Sequence, residues 1–346
     1  MTYNQKNLLI IVLSLMYLLG TSSSAAAQLP DTDSITSLHS LNGEIAAYDS
    51  NRKALRFMVP SGRSLVAKRT ISVDGNVMGV AAIAEGYLIA TGMSREDLSA
   101  PIRLSRVSSD GKHDSLVFEY SGERNQVNRI VSRGNKIWVD FFESKYFTKV
   151  GYLSPTAQAP WLLTDVASVR MGDSFEVVGD SVFVGRSYGE PQGQDGDLLL
   201  LSNGKRTTLP SYRGVRAIAA IGDPAAPELV VADGWHQNYG QLAQGRISRV
   251  RRQPDTGRYS LELVTIDPDN YGFSKLLALP APYSSKIVAL GSSSVIVFDV
   301  GVSGDRRVIH KIQQPDRVPD LAVTTGSEGL PLIVVLDGGL HVYPLQ

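Results

Sequence analysis

The sequence predicts an all-β protein: a single seven-bladed β-propeller with four antiparallel strands in each blade. A short apolar segment recurs seven times along the chain, with starts 43 to 58 residues apart. Other short β-type segments lie before and after the copies, and no stretch keeps an apolar period of 3.6 residues. Four short strands repeated at this spacing are typical of propeller blades.

The recurring segment has the composition of a buried strand. Each copy is six residues long and rich in β-branched and aromatic residues, and most copies end at Asp or Gly. The copies begin at Glu44, Tyr87, Lys136, Ser181, Glu228, Lys286 and Leu332. We assign them to the same position in successive blades.

Further short strands complete each repeat. One follows each copy, beginning at Ala54, Ile102, Lys149, Leu198, Arg246, Val295 and Leu340. Six repeats have another strand after it, and strands beginning at Val77, Val127, Val215 and Asp320 precede the recurring segment. Six or eight blades are the alternatives, as are sandwiches, although a sandwich has no regular long period. Residues 29–41 supply the missing fourth strand of the last blade, the first strand of blade one, or neither.

The first 27 residues are predicted to be a signal peptide, and residues 28–346 the propeller domain. Lys6 precedes a mostly apolar run of 13 residues at 8–20, and residues 25–27 are the three alanines of a cleavage site. This run is shorter than the roughly 20 residues of a membrane-spanning helix, which disfavours the alternative of an uncleaved anchor. Cleavage after Ala27 predicts a soluble periplasmic or secreted protein with no membrane insertion.

The composition excludes several kinds of partner and site. The chain has 34 Lys and Arg against 34 Asp and Glu, which is not the basic charge of a nucleic-acid-binding protein. It has no Cys, which excludes disulfides, thiolate nucleophiles and Cys-based metal sites. An exported chain of this length buries a sufficient core without disulfides, and we expect a monomer.

Two segments carry a resemblance to a known family. One runs from 221 to 234 (IGDPAAPELVVADG) and the other from 318 to 323 (VPDLAV). Both resemble FG-GAP and VCBS repeats, the blades of integrin-α-type propellers, and the resemblance implies the fold. In that family the turn before the strand often carries several acids that bind Ca²⁺. Here Asp223 is the only matching acid, which argues against calcium in this turn.

One face of the predicted ring carries the longest loops. Connections between the second and third strands of a blade share a face with the links between blades. These connections are short in blades one, six and seven but longer and polar in blades two to five, at 93–101, 143–148, 187–197 and 234–244. Because such loops often carry function, we predict a binding wall made of these four adjacent loops.

The predicted binding residues lie in or beside these loops. They are Trp235, His236, Asn238, Tyr239, Arg186, Tyr188, Tyr146 and Arg95. The 234–244 loop combines aromatic faces with hydrogen-bonding groups, which suits a protein or carbohydrate partner. The alternative is that Trp235 and Tyr239 pack this loop against the fold while its polar residues face water.

Metal and catalytic signals are weak. Asp267 and Asp269 resemble the opening of a calcium loop, but Tyr271 replaces the third acid and Ala278 occupies the position of the required Glu. A turn between strands is therefore favoured over a metal site. No cofactor is predicted, and calcium at Asp267 and Asp269 is the alternative. The sequence shows no Ser-nucleophile elbow, zinc-protease, P-loop or dinucleotide motif.

The sequence therefore favours an exported binding module over an enzyme. The alternative is a propeller-fold enzyme of the lyase, lactonase or quinoprotein dehydrogenase type, with its site near the central channel. That alternative needs inward-pointing His, Asp or Glu at equivalent strand starts. The first strands of the repeats present small apolar side chains instead, as in VAAIA, AIAAI and LLALP.

Overall fold

The computed structural model of the chain is built entirely from strands in the residues that it describes. These residues are 27–28, 32–93, 97–112, 114–156, 159–170, 172–186, 197–212, 214–222, 227–234, 245–302, 306–313, 319–326 and 329–345. They form 28 strands in seven antiparallel sheets of four, and no helix. None of them belongs to a helix of the length and apolarity needed to cross a membrane.

The strands follow the chain blade by blade after one short initial strand, β1 (Ala27–Gln28). Blade 1 contains β2 (Ile35–Ser40), β3 (Ile45–Asp49), β4 (Ala54–Ser61) and β5 (Ser64–Ser72). Blade 2 contains β6 (Asn76–Ile83), β7 (Gly86–Gly92), β8 (Ile102–Ser108) and β9 (Asp114–Tyr120). Blade 3 contains β10 (Val127–Arg133), β11 (Lys136–Phe142), β12 (Phe147–Leu153) and β13 (Leu163–Arg170).

The remaining blades repeat this order. Blade 4 contains β14 (Gly172–Val178), β15 (Ser181–Arg186), β16 (Leu198–Ser202) and β17 (Lys205–Leu209). Blade 5 contains β18 (Ala217–Ile221), β19 (Glu228–Asp233), β20 (Gly245–Arg252) and β21 (Tyr259–Asp267). Blade 6 contains β22 (Phe273–Ala278), β23 (Lys286–Gly291), β24 (Ser294–Asp299) and β25 (Arg306–Lys311). Blade 7 contains β26 (Asp320–Thr325), β27 (Pro331–Leu336), β28 (Leu340–Pro344) and, as its fourth strand, β1.

The seven blades form a closed ring, and both ends of the domain contribute to the closure. β1 pairs with β28, with Ala27 opposite Val342 and Gln28 opposite His341. β2 packs against β26, and the backbone amide of Leu38 donates to Asp320 Oδ2 at 2.7 Å. The prediction left three roles open for residues 29–41. The structure assigns the first strand of blade 1 to part of that segment and the fourth strand of blade 7 to residues just before it.

The core is divided into seven apolar clusters among the described residues, one at each interface between neighbouring blades. The second strand of each blade is buried on both faces, because it lies inside the sheet and between two other blades. This position explains why the second strands are continuous apolar runs rather than alternating ones. The recurring segments of the sequence are these second strands.

The seven first strands line a central channel, which contains two adjoining cavities of about 540 and 770 Å³. Five of them contain a bulge near their start, which leaves one extra residue on the first strand. These extra residues are Thr36, Met78, Asn128, Asp173 and Ser274. A bulge re-aims its side chain, and all of them except Thr36 line the channel.

Candidate functional site

We call the face that carries the connections between second and third strands the top face, and the opposite one the bottom face. The links between blades lie on the top face too, as three contacts show. The Met93 amide donates to the Asn125 carbonyl at 2.9 Å, and the Ser50 amide donates to the Ser34 carbonyl at 3.1 Å. The amide of Tyr271 donates to Ser292 Oγ at 3.0 Å. In each contact, one residue belongs to the connection between the second and third strands of a blade. The other belongs to the segment that enters or leaves that blade.

The predicted wall of four long loops is wrong in one place. β12 begins at Phe147, so the blade 3 connection is the four-residue turn 143–146 rather than 143–148. It is no longer than the connection 50–53 of blade 1. Pairing of Phe142 with Thr148 extends the hairpin to its turn, which is why the predicted loop was too long. The long connections are those of blades 2, 4 and 5, at 93–101, 187–197 and 234–244.

Most of the predicted binding residues lie outside the described residues. These are Arg95, Tyr188, Trp235, His236, Asn238 and Tyr239. Their role in binding stays a prediction.

The two described binding candidates have different surroundings. Tyr146 is half exposed on the top face, and the Lys145 ammonium lies 5.2 Å from its ring centroid. Arg186 is buried at the end of β15, where its guanidinium lies 3.6 Å from Asp197 Oδ1. Its backbone amide also donates to the Asp197 carbonyl at 2.8 Å. Arg186 thus joins the two ends of the long blade 4 connection, whereas Tyr146 presents its ring to solvent.

The two metal candidates lie in a closely hydrogen-bonded turn. Asp267 Oδ1 accepts from the Asp269 amide at 2.9 Å, and Arg306 lies 3.2 Å from its Oδ2. Between them and β22, buried Asn270 accepts from the Ser293 amide at 2.9 Å and donates to Ser294 Oγ at 3.0 Å. The carboxylate of Asp267 is therefore engaged in the turn. The described residues contain no group of three or more His, Asp and Glu side chains arranged to hold a metal.

Exposed apolar side chains in the connections are concentrated on the top face. Leu98, Tyr146, Tyr212 and Tyr271 lie there, with exposures of 47 to 69 %, and Phe147, 43 % exposed, begins the strand after Tyr146. In the described connections of the bottom face, the large apolar side chains with comparable exposure are Leu162 and Val302. Tyrosine is enriched in protein interfaces because its ring covers a large area and its hydroxyl forms hydrogen bonds. The top face has three of these tyrosines.

The channel wall is more charged than the sequence predicted. It includes His39, Arg129, Arg133, Asp173, Glu176, Arg216, Lys275 and Asp320. The expected small apolar residues line the channel in blade 2 (Gly79, Ala81 and Ala82) and blade 5 (Ala217, Ala219 and Ala220), and blade 6 adds Leu276 and Leu277. Blades 3, 4, 5, 6 and 7 contribute charged groups. Each of these groups lies on a first strand or directly before it, where the side chain faces the channel.

The charged groups of the wall are mostly paired across blade interfaces. Lys275 Nζ lies 2.7 Å from Asp320 Oδ1, joining blades 6 and 7. Arg129 donates to the Phe175 carbonyl at 2.7 Å and lies 3.1 Å from Glu176 Oε2, joining blades 3 and 4. Burial in the wall, together with the Lys275 charge, lowers the pKa of His39 to about 4, against the opposing effect of Asp320. His39 is therefore neutral at physiological pH.

A closed ring of seven four-stranded blades places this protein among the seven-bladed β-propellers. No protein-family model matches the chain, and no curated protein sequence matches it. Solved structures do. The β-propeller domain of Myceliophteria thermophila Cps50 (Swd1) is 11 % identical with a TM-score of 0.62, over 92 % of this chain and 98 % of that one.

Two further structures show the same likeness. A chain in a complex of S. cerevisiae Dbp5 with Nup159, Gle1, IP6 and ADP is 12 % identical, with a TM-score of 0.55 over 92 % of this chain and 93 % of that one. The extracellular domain of BT4673, a putative one-component system of B. thetaiotaomicron, is 12 % identical with a TM-score of 0.58. That match spans 93 % of this chain but 40 % of the other. At these identities the likeness concerns the fold, and the resemblance to FG-GAP and VCBS repeats stays a prediction.

Proposed function

We propose that this propeller is an interaction module that binds a partner protein through its top face. The carrying observation is the concentration of exposed tyrosines and other apolar side chains in the top-face connections. The three long connections lie on the same face, and such loops tolerate the sequence variation that specific recognition needs. A structurally similar chain belongs to a complex that includes Nup159 and Gle1, which supports protein partners for this fold in general.

The proposal includes export to the periplasm or the medium. Its support is the apolar run at 8–20 after Lys6, followed by the alanines at 25–27. Fractionation of producing cells, with mass measurement of the protein's N-terminus, tests this part. A chain recovered with residues 1–27 in the cytoplasm would contradict it.

Site-specific photo-crosslinking in the producing cells tests the binding face. A photoreactive amino acid placed at Tyr146 or at Tyr271 is expected to capture the same partner. The matched control position is Leu162, which is 81 % exposed on the bottom face. Equal capture at Leu162, or no capture from the top face, would contradict the proposal.

A second measurement distinguishes a protein partner from a carbohydrate. Tyr146→Ser combined with Tyr271→Ser is expected to weaken binding to the captured protein at least tenfold, because exposed aromatic anchors contribute most of the energy of such interfaces. The Leu162→Ser variant should bind like the parent protein. The purified protein is also applied to a glycan array. Glycan binding by the parent protein that is lost in the double variant would identify a carbohydrate, rather than a protein, as the partner of the top face.

A further inference from the structure

One carboxylate of blade 3 is buried without the partners that a charged group requires. Asp140, on the second strand β11, is completely buried, and its Oδ2 has no hydrogen-bond partner in the described structure. Its Oδ1 receives a long hydrogen bond of 3.4 Å from Asn128 Nδ2. The carboxylate of Asp173 is close enough for the two like charges to repel each other. An unsatisfied buried carboxylate of this kind calls for a specific ligand or a proton.

Other oxygen atoms lie around the same place. The Gly172 carbonyl is 3.4 Å from Asn128 Nδ2 and also accepts from buried Thr148 Oγ1 at 2.7 Å. Asn128 Nδ2 thus lies between Asp140 Oδ1 and the Gly172 carbonyl, and at 3.4 Å it forms only a weak hydrogen bond to each. The group contains more acceptors than donors, which is the arrangement that a cation satisfies.

The nearest basic side chain is already engaged. Arg129, opposite Asp140 in the pairing of β10 with β11, directs its guanidinium to the Phe175 carbonyl and to Glu176. Its positive charge is therefore shared with Glu176 and does not fully compensate Asp140. A proton or a cation from outside the chain has to supply the rest.

Two bulges open this group to the channel. Asn128 and Asp173 are the extra residues of the bulges in β10 and β14, and both line the central channel. A Cβ atom at Gly172 would lie 3.2 Å from Thr148 Cβ, so the glycine allows its carbonyl to approach this closely. An ion that enters from the channel meets Asn128 and Asp173 first and Asp140 behind them.

We propose that a calcium ion binds at this junction of blades 3 and 4, held by Asp140, Asp173 and the side-chain oxygen of Asn128. A half-turn of the Asn128 amide replaces its nitrogen by its oxygen at the same position. Two carboxylates neutralise the ion, and waters of the channel complete its six to eight oxygen ligands. Mg²⁺ is disfavoured because it demands an octahedral set at short distances, and this set is irregular. The site is distinct from the Asp267 and Asp269 turn and independent of the proposed top-face partner.

Thermal unfolding of purified protein with CaCl₂ tests the proposal. After treatment with EDTA and dialysis, millimolar CaCl₂ is expected to raise the unfolding midpoint by about 3–6 °C, as for a ligand at about 100 times its Kd. Asp140→Asn and Asp173→Asn should each abolish the rise. Both substitutions keep the shape of the side chain, and Asp140→Asn also removes a buried charge. Both variants are therefore expected to fold.

The matched control and a spectroscopic measurement locate the ion. Asp269→Asn, in the exposed turn of the blade 5–6 link, should keep the full rise. Tb³⁺ in place of Ca²⁺ should show emission sensitised by Trp138, which lies two residues before Asp140 and on the same side of β11. Trp138→Phe should reduce that emission and keep the CaCl₂ effect. No rise in the parent protein, a rise that survives Asp140→Asn, or a rise lost in Asp269→Asn would overturn the proposal.

Discussion

Single residues of the channel wall connect the fold to the protein's response to pH. His39 contacts Ser37 Oγ at 3.2 Å and lies near the paired charges of Lys275 and Asp320. Burial and the lysine together favour the neutral imidazole over the imidazolium. No sequence motif marks His39, because the charged groups beside it, Lys275 and Asp320, lie more than 200 positions further along the chain.

The first prediction concerns His39 and acid stability. Its pKa is about 4 in the folded protein against 6.5 for a free imidazole, so the folded state disfavours its protonation. The contribution of His39 to the free energy of unfolding is therefore complete above about pH 6.5. It decreases by about 2–3 kcal/mol as the pH falls toward 4. The His39→Gln variant should lose that part of the slope when unfolding by urea is measured between pH 7 and 4. An identical slope in the variant would refute the assignment.

Single residues also show where sequence interpretation reaches its limit. Tyr146 was predicted in a top-face connection and lies there, exposed. Arg186 was predicted beside a binding loop, and its side chain is directed to Asp197 at the base of that loop. Position in a loop follows from the order of strands, but the direction of a long side chain depends on which charge lies within reach.

At the scale of elements, the ends of the second strands explain a pattern visible in the sequence. Where a copy ends at Asp, the buried carboxylate holds a neighbouring backbone: Asp233 accepts from the Tyr212 amide at 2.9 Å, and Asp337 from the Gln313 amide at 2.7 Å. Where a copy ends at Gly, the space admits an Asn-containing link. A Cβ atom at Gly291 would lie 2.1 Å from Asn270 Oδ1. At the end of a second strand, Asp and Gly thus have the same effect: each allows the link that precedes the blade to pack against that strand end.

A polar cluster joins blades 1 and 2 on the bottom face. Glu44 Oε2 accepts from the Tyr87 hydroxyl at 2.7 Å and from Arg69 at 2.9 Å. The guanidinium of Arg69 lies against the rings of Phe57 and Tyr87, 4.5 and 4.8 Å from their centroids. Partial burial alone would raise the pKa of Glu44, but hydrogen bonds from Lys68 and Tyr87 and the nearby positive charges lower it.

The second prediction tests this cluster. Tyr87→Phe removes a hydrogen bond to a charged acceptor and should lower the free energy of unfolding by about 1–2 kcal/mol, measured by urea titration. Tyr152→Phe in blade 3 is the matched control. The Tyr152 ring packs on Trp138, with centroids 5.1 Å apart, but its hydroxyl has no protein hydrogen bond in the described structure. Equal losses in the two variants would show that the hydroxyl of Tyr87 contributes nothing specific.

At the scale of the whole molecule, the ring depends on residues from both ends of the domain. β1 covers part of β28, and the Leu340 amide donates to buried Thr32 Oγ1 at 3.1 Å. The predicted cleavage after Ala27 falls within β1, so processing at that bond leaves Gln28 to pair with His341.

The third prediction concerns this closure. A chain that begins at residue 29 should be less stable by about 1–2 kcal/mol than one that begins at 27, because it loses the strand pairing of Gln28 and its neighbour. A chain that begins at 28 should lie between the two. Thermal unfolding of the three proteins measures the order, and equal midpoints would show that β1 contributes nothing to the closure.

The all-β class, the seven repeats and the positions of the second and third strands of every blade were predictable from the sequence. They follow from local properties: β-branched residues in short runs, turn residues between them, and a period close to 46 residues. The tertiary structure alone decided which residues meet. It brought Asp140 beside Asn128 and Gly172, paired Lys275 with Asp320, and placed residues 27–28 on β28. These contacts depend on bulges and on ring closure between residues far apart in the chain, and no local pattern encodes either.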